Sequence, residues 1–259
     1  MFFKIGSIIL SLVSSINAFG TFIIFQISLI PLFFTNLRFN LIIKEIYIIG
    51  FGTVGVISLT AFFTGMVEAI QLYSGFHQFG VEGFMGYTIF ISITKELGPV
   101  FGTLMVISRA VSSMSAEIGT MRVTEQIDAI ETLALNSKEI IIIPKIIATI
   151  ISLPILVIMF DFIGNYSAYI VSTTVLGINP VTYESIILQN LLITDISSGL
   201  IKAVIFGYVI ASIGTYMGYI TNGGAKGVGL YTTKAVVYSA VSIFMLNYLI
   251  SSVFLMIGW

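Results

Sequence analysis

The sequence predicts an all-α integral membrane protein: an interfacial N-terminal helix, five transmembrane helices, and a cytoplasmic helix between the second and third spans. Three observations carry this reading. Only 9% of the 259 residues are charged and 57% are hydrophobic, whereas a soluble domain carries about a quarter charged residues. Apolar runs of membrane length, about 20 residues, recur along the chain. The stretch Ala116–Glu131 holds five charged side chains between two of those runs, and such a stretch belongs outside the hydrocarbon.

Residues 1–35 place Ile5, Ile8, Ile9, Leu12, Val13, Ile16, Phe19, Ile23, Ile27 and Ile30 at helical spacing, with Lys4, Ser7, Ser11, Ser14, Ser15 and Thr21 largely opposite. That pattern suits a helix lying in the membrane interface; an extra spanning helix is the alternative. Lys4 and the apolar run behind it resemble a weak signal peptide, but one charge and no clear cleavage site argue for retention. Pro31 should end or kink the helix, and Arg38, Lys44 and Glu45 mark a watery boundary. Five spans follow, near 46–72, 84–115, 141–174, 196–221 and 235–258. The whole chain, 1–259, reads as one polytopic domain, with 1–45 as interfacial helix and elbow and 46–259 as the core.

Positive charge sets the orientation. Arg38 and Lys44 precede span one, Arg122, Lys138 and Lys145 lie around the loop after span two, and Lys226 and Lys234 lie between spans four and five. The remaining links, 73–83 and 175–195, carry Glu82, Glu184 and Asp195 but no Lys or Arg. The N-terminus and the 116–140 loop are therefore expected in the cytoplasm, and Trp259 on the far side.

Most chemistries lack their parts. There is no cysteine, and His77, expected in a solvated loop, is the sole histidine, so catalytic residues and a metal site are not expected. A net charge of −1 gives no electrostatic case for nucleic acid. Gly50-Phe51-Gly52-Thr53-Val54-Gly55 matches a dinucleotide fingerprint but lies in a span rather than a βαβ unit, so close helix packing is the better reading. Gly223-Gly224-Ala225-Lys226-Gly227 is no P-loop. If ATP drives this chain, another subunit binds it. Gly199, Ala203, Gly207, Ala211 and Thr215 form an i, i+4 ladder, and Gly214 and Gly218 add a G-x-x-x-G, where helices approach closely, within the subunit or across a homodimer.

Charged residues inside spans are costly and point to function: Glu68, Lys95, Glu96, Arg109 and Asp161 are candidates for cavity or gating roles. Lys95 and Glu96 fall near mid-depth of span two on different faces, and Asp161 is the expected partner of Lys95. The alternative is an ion pair that only fixes packing. In the loop, Gly119 reads as a helix stop. A short helix from Val123 to Leu133 would set Val123, Ile127, Ile130 and Leu133 on one side and Glu125 and Asp128 on a neighbouring face. That is the form of a docking helix for a partner's groove.

Several runs carry a resemblance: Lys95-Glu96-Leu97-Gly98-Pro99-Val100, Ser108-Arg109, the stretch from Ala116 to Ile130, Pro144-Lys145, and Gly227 to Val237. Together they resemble the MlaE-type ABC transporter permease family over nearly the whole chain beyond residue 40. The resemblance implies the membrane subunit of a lipid-transporting ABC system. Two permease copies pair around a lipid cavity, and cytoplasmic ATPase subunits, which hold ATP and Mg, dock on the loop between spans two and three. An MCE-domain substrate-binding protein sits on the far side. Bacterial members move phospholipid between inner and outer membranes, and plastid relatives import lipid. Glu117, Gly119, Arg122, Glu125, Gln126, Asp128 and Glu131 then belong to the ATPase-coupling region. The chain departs from the family pattern with Lys95 and Lys145 for arginine, Ser108 for glycine, Ser137 for proline and Asn247 for an acidic residue. The expectation is a permease of a bacterial inner membrane, or of an organellar one, that performs no covalent chemistry itself. An ion-gradient-driven secondary transporter and an intramembrane lipid-acting enzyme are the rivals.

Overall fold

The computed structural model describes residue 17 and residues 19–34 and 37–258. Within them the chain forms helix α1 (Phe19–Phe34), α2 (Phe39–Phe79), α3 (Glu82–Val123), α4 (Gln126–Thr132), α5 (Lys138–Val175), α6 (Pro180–Asn190), α7 (Ile193–Tyr219) and α8 (Gly224–Met256). Five of these, α2, α3, α5, α7 and α8, are long and apolar enough to cross a membrane. Helix α1 is a shorter apolar helix. Residues 1–16 of the helix expected over 1–35, and the end at Trp259, lie outside the described residues.

Span α5 packs against both α2 and α7, while α3 and α8 each pack on α7 and on one another. Buried residues make up 56% of the apolar window of α7 but 11% of that of α8. Thus α7 is the shaft of the bundle and α8 its least covered member. Helix α1 lies on α7, where Phe22 and Phe25 meet the ring of Tyr216 and Leu29 is fully buried.

Small residues let the spans close on one another. Gly199, Gly214 and Gly218 face α3 at Thr94, Val111 and Ile118, and Gly207 faces the backbone of Thr149 and Ile150 in α5. Ala203 and Ala211 are fully buried. The ladder is thus spent inside the subunit. Gly50 faces Ser152 of α5, and Gly52 leaves room for the Arg109 guanidinium.

The spans are not uniform α-helix. Wider π-helical turns occupy Tyr47–Phe51, Ser92–Leu97, Ile107–Val111, Lys138–Ile142 and Val171–Val175. Such turns interrupt the i→i−4 ladder and cluster at functional sites. Two of them present a backbone carbonyl to a cation: Ile48 O to Arg109 and Lys95 O to Lys202, both at 2.8 Å.

Several expectations need correction. Lys226 and Lys234 are not in a link, because α8 begins at Gly224 and carries both. Gly223 and Gly224, at φ 82° and 68°, make the reversal from α7 that allows this early start. His77 sits in the last turn of α2, with Nδ1 2.5 Å from Glu82 Oε1. The 175–195 link contains a helix, α6, capped by Asn179 Oδ1 accepting from the Val181 amide at 2.9 Å. Tyr183 roots α6 beneath Gly86, where a Cβ would come within 2.8 Å of the ring.

The α2–α5 crossing is the tightest test of this packing. A Cβ on Gly65 would collide with the Gly164 carbonyl and the Ser167 hydroxyl, whereas one on Gly55 meets nothing within 4 Å. Gly65→Ala is expected to destabilise the detergent-solubilised protein by about 1–3 kcal/mol, the cost of overpacking, and to lower its melting temperature. Gly55→Ala should leave that temperature unchanged.

Candidate functional site

Three polar assemblies occupy the bundle. The first joins spans two, four and five. Lys202 of α7 is buried to 1% exposure and donates from Nζ to Glu96 Oε1, to the Lys95 carbonyl and to Ser251 Oγ, each at 2.8 Å. Glu96 also accepts from Asn247 Nδ2 at 2.8 Å and from Ser251 Oγ at 2.9 Å. Beside it, Lys95 pairs with Asp195 of α7 at 2.8 Å, the carboxylate being 2% exposed. Burying an ammonium without partners costs several kcal/mol, so Lys202 obliges α3 and α8 to hold their acceptors at fixed height against α7.

The expected Lys95–Asp161 pair is therefore wrong. Asp195 lies in the first turn of α7 rather than in a watery link, and its Oδ2 accepts from the Leu192 amide at 3.2 Å. That placement sets Lys95 and Glu96 beside the first third of α7, between the levels of Asp195 and Lys202. Asp161 remains without a hydrogen-bond or ionic partner among the described residues, its Oδ1 shielded from solvent. Glu68 is half-buried on α2, also with no ionic partner among the described residues. Arg109 donates to Ile48 O at 2.8 Å and to Thr53 Oγ1 at 3.3 Å, tying α3 to α2.

The second assembly sits at the base of α3. Lys145 of α5, 4% exposed, bridges Glu45 of α2 at 2.8 Å and Glu117 of α3 at 2.7 Å. The third holds the loop. Helix α3 runs through Gly119 without stopping, because Gly119 packs against Thr221 at the end of α7. The helix gives way at Glu125, in the left-handed region at φ 59°, and α4 begins at Gln126 rather than Val123. Ala134, also at φ 59°, closes the far end. Two non-glycine residues in this region cost roughly 1–2 kcal/mol each, so surrounding contacts fix both bends. Ile127 is the buried anchor of α4, whereas Leu133 is 72% exposed and does not join it. Arg122 pairs with Asp128 at 2.6 Å, and Gln126 Nε2 donates to Thr124 Oγ1 at 3.0 Å. Glu125, Gln126, Asp128 and Glu131 face outward.

Glu131 latches this loop to the bundle. Its Oε1 accepts from the buried Ser137 hydroxyl at 2.6 Å and from Tyr219 of α7 at 3.2 Å. Lys138 donates to Ser28 of α1 at 2.8 Å and lies over the rings of Phe25 and Tyr219. The loop is thus bound to the base of α7 and, through Lys138, to α1.

Sequence reasoning missed Lys202, Asp195 and the partners Asn247 and Ser251. A signal was present: Asp195 and Lys202 are seven residues apart in one apolar run, which sets both on one face of a helix.

With this geometry in view, comparison with known proteins is decisive about family. The family model described as "Permease MlaE" matches residues 42–253. A "Probable ABC transporter permease protein" of Rickettsia bellii is 44% identical over 254 residues, covering 97% of this chain and 96% of that one. The "Intermembrane phospholipid transport system permease protein MlaE" of Haemophilus influenzae is 30% identical over 217 residues, 83% of each chain. The chloroplastic protein TRIGALACTOSYLDIACYLGLYCEROL 1 of Arabidopsis thaliana is 37% identical over 202 residues, 78% of this chain and 58% of that one. The chain belongs to the MlaE permease family and is a multi-pass membrane protein, a transport component rather than an enzyme.

The Ser137 hydroxyl, foremost, holds the Glu131 carboxyl below its ordinary value of 4.5, with the Tyr219 hydroxyl and the charges of Arg122 and Lys138 adding to it. A depressed carboxylate contributes stability that is present above the unfolded value and lost as pH falls through the folded one. Amide exchange of α4 is therefore expected to stay slow down to about pH 5 and to quicken below pH 4.5. Glu131→Gln should show no such step.

Proposed function

We propose that this chain is the membrane permease of an ABC transporter that moves phospholipid, or a related lipid, between membranes, powered by a separate ATPase. The observation that carries the proposal is the α4 loop. It is short, acidic and outward-facing, bent at both ends by residues in the left-handed region, and joined to the spans through Glu131 and the adjoining Lys145 bridge. A partner that pushes on α4 moves the foot of α3 and, through Tyr219, the foot of α7. Helix α3 also carries Lys95 and Glu96, about seven turns from the loop, so motion at the loop reaches that charged layer along one continuous helix.

In this reading ATP and Mg belong to the ATPase, and the chain itself breaks no bonds. The lipid substrate follows from the family and from the printed function of the Haemophilus relative. Two copies of the permease are expected to pair, which accords with the sparse burial of α8 and its exposed Val241, Phe244, Tyr248 and Leu249. An MCE-domain protein is the expected partner on the far side, where the links carry Glu82 and Glu184 and no basic residue. The membrane in this reading is a bacterial inner membrane, or an organellar inner membrane.

The test is affinity purification of the tagged chain from its own membranes, with assay of bound ATPase. The expected result is co-purification of a nucleotide-hydrolysing subunit, lost at least tenfold in the double variant Glu125→Lys, Asp128→Lys by like-charge or misplaced-charge contacts across the interface. The variant should still insert in the membrane. Absence of any ATPase from the unaltered chain would instead favour transport driven by an ion gradient.

A further inference from the structure

Lys138 opens α5, and its ammonium has no carboxylate within ion-pair distance among the described residues. Helix α1 supplies an oxygen and a ring face in place of one. Ser28 Oγ accepts from Nζ at 2.8 Å, and the charge lies 5.2 Å from the centre of the Phe25 ring and 5.8 Å from that of Tyr219. The Ser28 hydroxyl gives its own proton to the Phe25 carbonyl at 2.7 Å, which leaves the oxygen to the lysine as an acceptor. Phe25 is buried against the rings of Tyr216 and Tyr219.

These contacts close a ring that begins and ends on α1. It runs from Ser28 to Lys138 and along the backbone to Ser137. The Ser137 hydroxyl leads to Glu131 near the end of α4, Glu131 leads to the Tyr219 hydroxyl, and the Tyr219 ring returns to Phe25 at 5.5 Å. Helix α4 has seven residues, and isolated helices shorter than about 12 residues are marginal in water. Its order therefore comes from its attachments: the buried Ile127, the Arg122–Asp128 pair at its start, and this ring at its end. Tyr219 is the last residue of α7, where helices fray, so its ring is steadied by what stacks on it. Phe25 of α1 is the aromatic ring that does so. The rival reading is that α1 rests on the ring without bearing on it, with Ser137 and Tyr219 sufficient to hold Glu131.

We propose that α1 is a strap that pre-organises the α4 loop, with Ser28 as a positioning residue that acts on α4 through Lys138. Ser28 makes no hydrogen bond to α4 itself. It fixes the lysine at the head of α5, next to the Ser137 hydroxyl that holds Glu131. A loop already bent to one form spares a partner the cost of ordering it. The proposal concerns the loop's own order and stands whether or not an ATPase docks there.

The test is amide hydrogen exchange of the full-length chain in nanodiscs at pH 7, read by mass spectrometry over Ala129–Leu135, whose amides bond back to α4 and to Glu125. Helix α6, beyond the opposite end of α7, is the reference. Ser28→Ala is expected to quicken exchange over Ala129–Leu135 about tenfold, the worth of one hydrogen bond to a charged group, and to leave α6 unchanged. Lys138→Met should do the same. Unchanged exchange over Ala129–Leu135 in Ser28→Ala overturns the proposal, as does equal quickening in α6, which would make the effect a general loosening of the fold. If Lys138→Met does not elute as folded protein, Ser28→Ala decides alone.

Discussion

A lysine ammonium buried among apolar helices sets the terms for the rest of this molecule. Lys202 cannot rest in the bundle unless every donor it carries is met, and its three acceptors come from two other spans. That requirement fixes the height of α3 and α8 against α7 more narrowly than apolar packing alone, which tolerates sliding. The widened turn at Ser92–Leu97 belongs to the same solution, since it frees the Lys95 carbonyl to complete the set. Gly199 then lets α7 approach the neighbouring Thr94 carbonyl closely enough for Lys202 to reach.

The same logic recurs at the end of the bundle that carries the α4 loop. Lys145 draws Glu45 and Glu117 together, and Arg109 finds a carbonyl in the widened turn of α2 over the bare backbone of Gly52. Cations thus stitch the spans at two levels, joined by the length of α3. The loop latch adds a third set of contacts at the foot of the bundle.

Much of the fold was legible because membrane length and charge distribution are strong signals. The five spans, the shorter apolar N-terminal helix and the outward acidic loop are readable from runs of apolar residues and from where Lys and Arg fall. Pairing was not readable. Asp161 and Lys95 have suitable charges and similar depth, yet Asp195 takes Lys95 because the start of α7 enters the bundle at that height. Gly119 reads as a stop by its intrinsic preference, but close contact with Thr221 outweighs that preference and the helix continues. Leu133 fits the apolar side of a longer helix, but the bend at Ala134 ends the helix first and leaves it exposed. Helix α6 escaped notice because its eleven residues mix polar and apolar types without a clear stripe.

The central claim is that Lys202 and Glu96 act as one unit joining the spans, and a double-mutant cycle tests it most directly. The melting temperatures of the solubilised protein would be compared for Glu96→Gln, Lys202→Met and the double variant. Glu96→Gln takes the countercharge from a buried ammonium, whereas the double variant removes the ammonium as well. The account predicts that the double variant is more stable than Glu96→Gln alone. The coupling should be about 1 kcal/mol, at the modest end for contacting residues because the Glu96 side chain is 44% exposed. Strictly additive losses would contradict the account and reduce the pair to two independent polar contacts.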